Sequence, residues 1–567
     1  MAEEQPPPSG SPAPQLLSAP SQDHAPSIPS PLNPHHDPKP PKPKPPPRER
    51  EQRERKESQK KRESTLGAGS RDTPSLVPSK RKASTNAGPS VPSPVRFAIG
   101  TPRLADFEPP RPTTFASHEP FPFLTPDGET ELRKPLDRAA NAKGYRYVEC
   151  IADPLFKHKG YYRATDTTPF GPRMSWEDAD KWIHFDERGK MVTNEKGWRM
   201  GRANVGVREG KAYFEVRIVR GVKSGEEEVE GDGPQPRVRV GWARREAPLD
   251  GPVGYDGFSY GVTDRRFETM HRSRGGKFWK EKKGPKKGGK AEKEWVEGED
   301  DVREGDVIGL EINLPSFTLH RKIVEGVYNP AVDLGDGFED TSARIDPGEK
   351  PYDIIRDRIT VPYKGHLFFE SYDYWHETPP MKAYSDRTLA LANLGSPVQI
   401  PGANTTIKTA PNPNHPEPAL RTLPHSSIRV YKNGQLVGTA FENLLAFLPP
   451  ASLPNKSAGA REGFDDGMIG YFPAISCFSG GIAEVNFGEH GFWMPPAHLK
   501  PTAPGEKTGR NLRPLAERFS EQIAEDIVYD IIDEVDFFMQ DGGFGGRVGA
   551  GGVEAKKGNV SLKEEVD

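Results

Sequence analysis

The chain has 567 residues, of which 33% are hydrophobic, and its formal net charge is −3; a large share is therefore predicted to lie outside any packed core. Its two cysteines exclude a disulfide framework, and no run of about 18 apolar residues could cross a bilayer as a helix. These properties exclude a secreted disulfide-rich protein and a helical membrane protein, so we expect a soluble, intracellular protein with no membrane partner.

Residues 1–95 form a proline-rich and basic tail, which we predict to be disordered. Its first 50 positions contain 17 prolines, and almost no aromatic residue is available to offset the entropy of ordering. The proline runs suit a linker or a ligand for a proline-reading module. The cluster Lys80, Arg81 and Lys82 predicts a nuclear import signal, with a merely solvated charge run as the alternative.

Residues 96–144, where phenylalanines recur among prolines, are predicted to form an extended arm that packs on the domain or a ribbon that binds a partner, and the ordered region proper is predicted to begin near Tyr145. Residues 145–500 then contain many short apolar or alternating runs separated by glycine turns, which is typical of an antiparallel β-sandwich. Three longer polar stretches interrupt this pattern and are predicted to be insertions, at 221–234, 271–301 and 315–362.

The stretch Gly257-Phe-Ser-Tyr-Gly261 matches the pattern of serine hydrolases and has to be weighed as a nucleophile motif. That motif requires a strained turn between a strand and a helix, but no helical pattern follows here. Cysteine pairs, histidine-glutamate metal motifs and a phosphate-binding glycine loop are also missing from the sequence. We therefore predict no catalytic residue, no metal, no cofactor and no enzymatic activity.

Four arginines lie at or near the ends of the predicted strands: Arg202, Arg208, Arg237 and Arg239. A guanidinium group favours carboxylates and phosphates because it offers paired, coplanar donors. Arginines converging on one edge of the sandwich would form a receptor for an acidic peptide. The alternative is that each is an ordinary solvated strand residue.

The insertion 271–301 carries a strong positive charge, with a net charge of +8 between Arg272 and Lys293. Aromatic residues are interleaved with the lysines. Such a segment can contact phosphate backbones with salt-dependent affinity and little sequence preference. We name four lysines as candidates for contact with DNA or a nucleosome, with a solubilising loop as the alternative: Lys282, Lys283, Lys286 and Lys287.

The period of the apolar pattern changes to that of a helix over residues 513–540. The opposite face is acidic, and a glycine cluster then ends the helix and opens a tail at 541–567 to which we assign no structure. Either the apolar stripe packs on the chain's own domain or it docks into a groove of a partner. We predict docking through five aliphatic residues: Ile523, Ile527, Val528, Ile531 and Val535.

Several motifs, in this order, resemble a SPRY domain, a β-sandwich that displays binding loops, followed by a docking helix. They are Trp198-Arg-Met-Gly-Arg-Ala-Asn-Val-Gly-Val207, Tyr213-Phe-Glu215, Gly254-Tyr-Asp-Gly-Phe-Ser-Tyr260, Gly305-Asp-Val-Ile-Gly309, Val485-Asn-Phe-Gly488 and the helix Glu521 to Asp536. Together they are similar to the Ash-two/Bre-two family of subunits of COMPASS-type complexes, which methylate lysine-4 of histone H3. The resemblance implies a mainly β, SPRY-type antiparallel sandwich with long insertions, a C-terminal amphipathic helix and a disordered N-terminal tail.

The resemblance also implies a function and partners. The chain would be a non-catalytic scaffold in the nucleus, whose sandwich holds an acidic, phosphorylatable segment of the β-propeller subunit. Motif position puts Arg202 and Arg239 in the anion pocket, with Arg208 and Arg237 beside them. The helix would dock a small Dpy-thirty-type dimer, and the SET-domain catalytic subunit would be stimulated indirectly.

The sequence departs from the family in one respect, because two cysteines cannot build the zinc-binding N-terminal part found in animal members. Contact with DNA would then fall to the tail or to the lysine-rich insertion. The alternative function is a generic SPRY adaptor, for example a substrate receptor for ubiquitin transfer, although no RING, B-box or cullin-box segment is visible.

Overall fold

The structure is a computed structural model, and the residues it describes all belong to one unit, Pro89–Asp567. They are 103–109, 111–118, 120–136, 146–152, 162–222, 234–277, 301–338, 360–363, 366–371, 377–386, 398–399, 406–407, 410–452, 465, 467–499 and 511–540. Three predictions concern residues outside these ranges. They are the tail 1–95 with Lys80, Arg81 and Lys82, the insertion lysines Lys282, Lys283, Lys286 and Lys287, and the tail 541–567.

Strands dominate the described residues. In chain order they are β1 Phe123–Leu124, β2 Glu131–Leu132, β3 Arg146–Ala152, β4 Tyr162–Ala164, β5 Met174–Ala179, β6 Ile183–Phe185, β7 Met191–Asn194, β8 Trp198–Ala203, β9 Gly210–Arg220, β10 Arg237–Ala243, β11 Ser259–Thr263, β12 Thr269–His271, β13 Arg274–Gly276, β14 Val307–Leu314, β15 Thr360–Tyr363, β16 His366–Ser371, β17 Val398–Gln399, β18 Thr406–Ile407, β19 Ser427–Lys432, β20 Gln435–Glu442, β21 Phe472–Phe478, β22 Ile482–Asn486 and β23 Arg513–Pro514. The helices are α1 Phe317–Glu325, α2 Pro379–Ser385 and α3 Leu515–Gln540, with short 3-10 turns at Leu104–Phe107 and Pro418–Leu420.

Two large sheets form the sandwich. A seven-stranded sheet has the order β13-β12-β11-β10-β21-β8-β5, and an eight-stranded sheet has the order β20-β19-β14-β9-β22-β7-β6, with β23 added beside β9. Neighbouring strands in both sheets pair antiparallel, apart from the parallel pair of β23 with β9. The predicted fold class, a mainly β antiparallel sandwich followed by a helix, is confirmed.

The core lies between the two sheets because side chains alternate across each strand. In β10, Val238, Val240 and Trp242 are fully buried in this interface, whereas the intervening arginines face the other way. The ring of Phe214 on β9 meets the ring of Trp242 edge-on, with 5.0 Å between centroids. This contact joins the two sheets at the centre of the main hydrophobic cluster.

Helix α1 lies at the beginning of the predicted insertion 315–362 and packs on the sandwich. Leu319 and Ile323 are buried in the main hydrophobic cluster of the sandwich. The Oγ atom of Ser316 accepts a hydrogen bond from the N–H of Leu319, which caps the helix at its start. The local sequence did not predict this packing, because the apolar stripe of α1 is short and a polar loop follows it.

A four-stranded sheet with the order β15-β16-β3-β4 lies apart from the two sheets of the sandwich. Strand β3 lies at the beginning of the range 145–500 predicted for the sandwich, and it pairs with β16, in the register Phe369 opposite Val148. The two strands are far apart in sequence, so a local pattern of alternation cannot reveal which sheet β3 joins.

The arm docks on the edge of the eight-stranded sheet. Its strands β1 and β2 form a small hairpin, and Arg133 then exchanges backbone hydrogen bonds with Phe185 on β6, at 2.8 and 2.9 Å. Phe115 packs edge-on against Trp176, with 5.4 Å between centroids. No helix in the described ranges has the length and apolarity needed to cross a membrane.

A second apolar layer covers half of the outer face of the seven-stranded sheet. The loop after β10 contributes Leu249, Val253 and Phe258, and α2 contributes Met381 and Tyr384. These side chains pack on outward-facing residues of β8, β10 and β21. The other half of this outer face carries no such layer among the described residues.

Asp256 lies within this covering layer and is almost completely buried. Its Oδ1 atom accepts hydrogen bonds from the N–H of Phe258 at 2.6 Å and from the hydroxyl of Ser259 at 3.2 Å. Its Oδ2 atom has no hydrogen-bond partner in the described part of the chain. Burial raises the pKa of Asp256 from 3.8 to about 7, against these hydrogen bonds, which lower it.

Because the pKa is raised in the folded state, the protonated form of Asp256 contributes stability at low pH, and this contribution is lost as pH rises through about 7. We expect the free energy of unfolding of the natural chain to fall relative to Asp256→Asn by up to about 1.4 kcal/mol per pH unit between about pH 4 and pH 7. Above that window the difference should be constant. Urea titrations of both proteins across the window measure this, and parallel curves would contradict it.

Candidate functional site

The loop 249–256 divides the outer face of the seven-stranded sheet. The carbonyl oxygen of Leu249 accepts a hydrogen bond from the N–H of Met200 on β8, at 2.8 Å. The N–H of Val253 donates to the Oγ atom of Ser476 on β21, at 3.0 Å. The loop therefore crosses the strands, with the apolar layer on one side of it and an open half of the sheet on the other.

The rim of the open half is fixed by the backbone of the same loop. Gly254 has a φ of +81°, and a Cβ atom there would lie 2.3 Å from the carbonyl oxygen of Met270. Only glycine fits this position. The next residue, Tyr255, is 55% exposed, and the hydroxyl of Ser273 donates to its carbonyl oxygen at 3.0 Å. An aromatic side chain thus stands on a rigid rim.

The open half presents arginines beside aromatic rings. Register places Arg237 opposite Phe478, and Phe478 opposite Trp198, so these three side chains share the outer face across three strands. Arg239 lies opposite the small Ser476. We call the set Trp198, Arg237, Arg239 and Phe478, with Tyr255 on its rim, the basic-aromatic face.

Arg239 is the central side chain of the basic-aromatic face. Its guanidinium carbon lies 4.7 Å from the centroid of the Trp198 ring. Trp198 in turn stacks on Phe478, with 5.3 Å between centroids. The small Ser476 leaves room for Arg239 to reach across β21 to the indole. The stack fixes the guanidinium in place, so little side-chain entropy remains to be lost on binding an anion.

The charge of Arg239 has no partner of opposite sign in contact. No ion pair or side-chain hydrogen bond joins its guanidinium to the described residues, although the group is half-buried. Burial lowers the pKa of Arg239, against the more distant Asp264 and Glu268, which raise it. Asp264 is itself engaged, because its Oδ2 atom accepts a hydrogen bond from the N–H of Val238 at 2.8 Å. A partly desolvated cation of this kind favours an external carboxylate or phosphate.

Arg202 does not belong to this face, which corrects the prediction. It is 2% exposed and forms a bidentate ion pair with Asp178, at 2.7 and 2.8 Å. Its Nη1 atom donates to the carbonyl oxygens of Arg244 and Ala247 at 2.9 and 2.7 Å. These bonds use most of the guanidinium donors and leave no access for a ligand. Arg202 holds the covering layer on the sheet.

Arg208 is also removed from the predicted pocket. It forms a bidentate ion pair with Asp465, and its Nη1 atom donates to the carbonyl oxygen of Ile469 at 3.0 Å. The adjacent Val207 pairs with Tyr471, five residues along β21 from Ser476. That offset corresponds to about 16 Å along the strand. Of the four predicted arginines, the structure brings together only Arg237 and Arg239.

The described residues offer no catalytic or metal chemistry at the hydrolase-like motif. Ser259 is fully buried at the start of β11, and its Oγ atom donates to Asp256 and accepts from the N–H of Gly254. The Nδ1 atom of His271 contacts the backbone oxygen of Ser259 and not its hydroxyl. Within the described ranges, no three histidine, cysteine, aspartate or glutamate side chains are grouped so that they could hold a metal.

The second candidate site is helix α3, which is anchored at its beginning. Leu515 is buried in the main hydrophobic cluster. Arg518 is 5% exposed and makes a bidentate ion pair with Glu525 at 2.7 Å. The side-chain amide of Gln522 donates to the carbonyl oxygen of Asn204 at 3.1 Å and accepts from the N–H of Gly206. The ion pair of Arg518 lies within the helix, whereas the burial of Leu515 and the hydrogen bonds of Gln522 attach the beginning of the helix to the sandwich.

Beyond this anchor, the apolar stripe of α3 is uncovered. The alternative that the stripe packs on the chain's own sandwich is not supported, because its side chains are 41% to 55% exposed. The exposed residues are Ile523, Ile527, Val528, Ile531, Ile532 and Val535. A contiguous exposed apolar row on an anchored helix makes α3 a candidate contact surface.

The sequence interpretation missed the aromatic members of the basic-aromatic face. Trp198 and Tyr255 were noted only as parts of motifs, and Phe478 was not considered. The alternation Arg237-Val-Arg239-Val in β10 was a usable signal, since it puts both arginines on the face away from the core. The aromatic rings could not be placed beside them without the register of β8 and β21.

No protein-family model matches the chain. The chain is 43% identical to the COMPASS component cclA of Colletotrichum higginsianum, over 99% of its own length and 96% of that protein. It is 33% identical to the Set1 complex component ash2 of Schizosaccharomyces pombe, over 75% of this chain and 53% of that one. A human SPRY domain of known structure is 13% identical and covers 54% of this chain and 95% of its own, with a TM-score of 0.21. The strand pairing above establishes the architecture without that last likeness.

Replacement by methionine should lower the free energy of unfolding much more at Arg202, which is paired within the fold, than at Arg239, which is not. Arg202→Met leaves the carboxylate of Asp178 buried without its cation, so we expect a loss of about 3–5 kcal/mol in the free energy of unfolding. Arg239→Met removes only the contact with Trp198 and should cost about 0.5–1 kcal/mol. Chemical denaturation measures both values, and equal losses would contradict the distinction between a structural and a binding arginine.

Proposed function

Because the chain belongs to the family of the COMPASS component cclA and the Set1 complex component ash2, we propose that it is a non-catalytic scaffold subunit of a nuclear histone H3 lysine-4 methyltransferase complex. The observation that carries the proposal is the stacked, half-buried Arg239, whose guanidinium contacts no carboxylate. A buried charge of this kind costs free energy in the isolated chain, and an acidic partner would offset that cost.

The occupant of the basic-aromatic face is proposed to be an acidic, phosphorylatable segment of the β-propeller subunit. Two features of the face support this. Arg237 and Arg239 supply the positive charge, and Trp198 and Phe478 supply a flat apolar surface for the chain atoms of the peptide. Peptides with alternating acidic and apolar residues use both features, whereas a simple anion uses only the first.

Helix α3 is proposed to dock a small Dpy-thirty-type dimer. Its exposed stripe would insert into the groove between the helices of that dimer. Burial of five aliphatic side chains would contribute about 1.5–3 kcal/mol each to the free energy of binding. The cost of association is subtracted from this sum. The hydrogen bonds of Gln522 to Asn204 and Gly206 hold the beginning of the helix on the sandwich before the partner arrives, which lowers that cost.

The two surfaces together would hold the SET-domain catalytic subunit in its active arrangement without touching the reacting atoms. Contact with nucleosomal DNA remains a proposal for Lys282, Lys283, Lys286 and Lys287, and nuclear import remains one for Lys80, Arg81 and Lys82. Both sets rest on the charge of their sequence segments.

Reversal of charge at Arg239 tests the basic-aromatic face. Arg239→Glu should abolish measurable binding of an acidic peptide from the propeller subunit, because the variant places a carboxylate where the peptide's own must sit. Isothermal titration calorimetry measures the affinity, and Arg188→Glu, an exposed arginine on the turn between β6 and β7, is the matched control. If Arg239→Glu bound the acidic peptide with unchanged affinity, Arg239 would not be part of the peptide-binding site.

Charges placed in the apolar stripe test helix α3. The double variant Ile527→Glu with Ile531→Glu should release the small dimeric partner, since two carboxylates would be buried in an apolar groove. Size-exclusion chromatography of the mixture shows the release. Arg239→Glu is the control that should keep this partner, and the double variant should in turn keep the acidic peptide. Continued co-elution of the double variant would contradict the docking surface.

A further inference from the structure

Phe170 is a large apolar side chain that is exposed outside both candidate surfaces. It lies on the loop between β4 and β5 and is 71% exposed. A single exposed apolar side chain is common and indicates no function by itself. Two further features distinguish Phe170, namely the way in which its loop is held and the position of that loop beside helix α3.

The backbone before Phe170 is held by a buried arginine. Arg173 is 1% exposed. Its Nε atom donates to the carbonyl oxygen of Pro169 at 3.3 Å, and its Nη2 atom donates to the carbonyl oxygen of Thr167 at 3.4 Å. The same Nη2 atom pairs with the Oδ1 atom of Asp166 at 2.9 Å. One guanidinium group therefore fixes the shape of the chain that leads to the exposed ring.

The backbone after Phe170 is fixed as well. The Nδ2 atom of Asn204 donates to the carbonyl oxygen of Gly171 at 3.0 Å. The Nζ atom of Lys190 donates to the carbonyl oxygen of Pro172 at 2.6 Å. Because the chain is bonded on both sides of Phe170, its backbone would lose little conformational entropy when a partner covers the ring.

Asn204 places the loop of Phe170 beside the beginning of α3. Its side chain bonds Gly171, and its carbonyl oxygen accepts a hydrogen bond from the side-chain amide of Gln522 at 3.1 Å. The residue after Gln522 is Ile523, the first exposed residue of the apolar stripe. One residue therefore joins the loop that displays Phe170 to the level of α3 at which the exposed stripe begins.

The charged side chains that hold this loop are paired with one another. Arg173 pairs with Asp166, and Lys190 pairs with Glu489 at 2.6 Å. A partner that binds at Phe170 would therefore gain little from charge and would instead bury the ring against an apolar surface of its own. This chemistry matches the apolar stripe of α3 and differs from that of the basic-aromatic face.

We propose that Phe170 is an apolar contact for the Dpy-thirty-type dimer that docks on α3. A helix with its side chains is about 10–12 Å across, so a helix of the dimer that covers Ile523 would extend beyond α3 to the loop of Phe170. The interface would then include the sandwich as well as the helix. The inference rests on the proposed docking of this dimer, and the continuity of the loop with α3 favours the dimer as the occupant.

Substitution of Phe170 tests the contact by calorimetry with the full chain and the recombinant dimer. Phe170→Ala should weaken binding about tenfold, because the ring becomes buried only in the complex, and Phe170→Leu should keep most of the affinity. The ratio should not change with salt concentration, since no ion pair is lost. The matched control is Phe121→Ala, at a ring on the arm that is 79% exposed, and it should bind like the natural chain.

Photocrosslinking gives a second measurement in a mixture of the full chain, the dimer and the acidic peptide. Benzoylphenylalanine in place of Phe170 should crosslink to the dimer, whereas the same substitution at Phe121 should not. Thermal melting curves confirm that each variant is folded.

The outcomes separate the inference from the proposed function. Failure of the natural chain to bind the dimer, or binding that survives Ile527→Glu with Ile531→Glu, would overturn the docking on α3 itself. If the docking holds, unchanged affinity of Phe170→Ala would overturn only the contact at Phe170. Crosslinks from position 170 to the acidic peptide alone, or equal crosslinks to the dimer from positions 170 and 121, would overturn it too.

Discussion

The cost of burying a guanidinium charge separates the arginines of this protein into two groups. Arg202 and Arg208 each meet a carboxylate in bidentate geometry, so they stabilise the packing of distant segments. Arg239 has an indole beneath it and no carboxylate in contact. A desolvated cation without a contacting anion is costly, so the charge of Arg239, unlike the charges of Arg202 and Arg208, does not stabilise the isolated fold.

The sandwich supplies the rigidity that such a site needs. Its face is built on strands β8, β10 and β21, whose register is fixed by their backbone pairing, and Phe214 packs against Trp242 on the core side of the same sheet. The crossing loop adds Tyr255 at a position that the positive φ of Gly254 determines. A partner segment would therefore meet a preformed surface and would bear most of the ordering cost itself.

The two surfaces are joined by short, well-packed connections. Helix α3 starts in the core at Leu515, and Gln522 bonds the loop that links β8 to β9. Strand β8 carries Trp198 of the basic-aromatic face at its other end. The beginning of α3 and the basic-aromatic face are therefore connected through a single strand and the loop that follows it.

The sequence by itself determined the local features: the alternation in β10 that turns Arg237 and Arg239 outward, and the helical stripe of α3 with its exposed Ile527 and Ile531. Both follow from periodicities of a few residues. Only the tertiary structure decided which charges are internally paired, because Asp178 and Asp465 lie 24 and 257 residues from Arg202 and Arg208. It also decided the place of α1 in the core. The sequence pattern of a helix or strand predicts which of its own faces is buried. Which charged side chains form ion pairs depends on which distant segments the fold brings together.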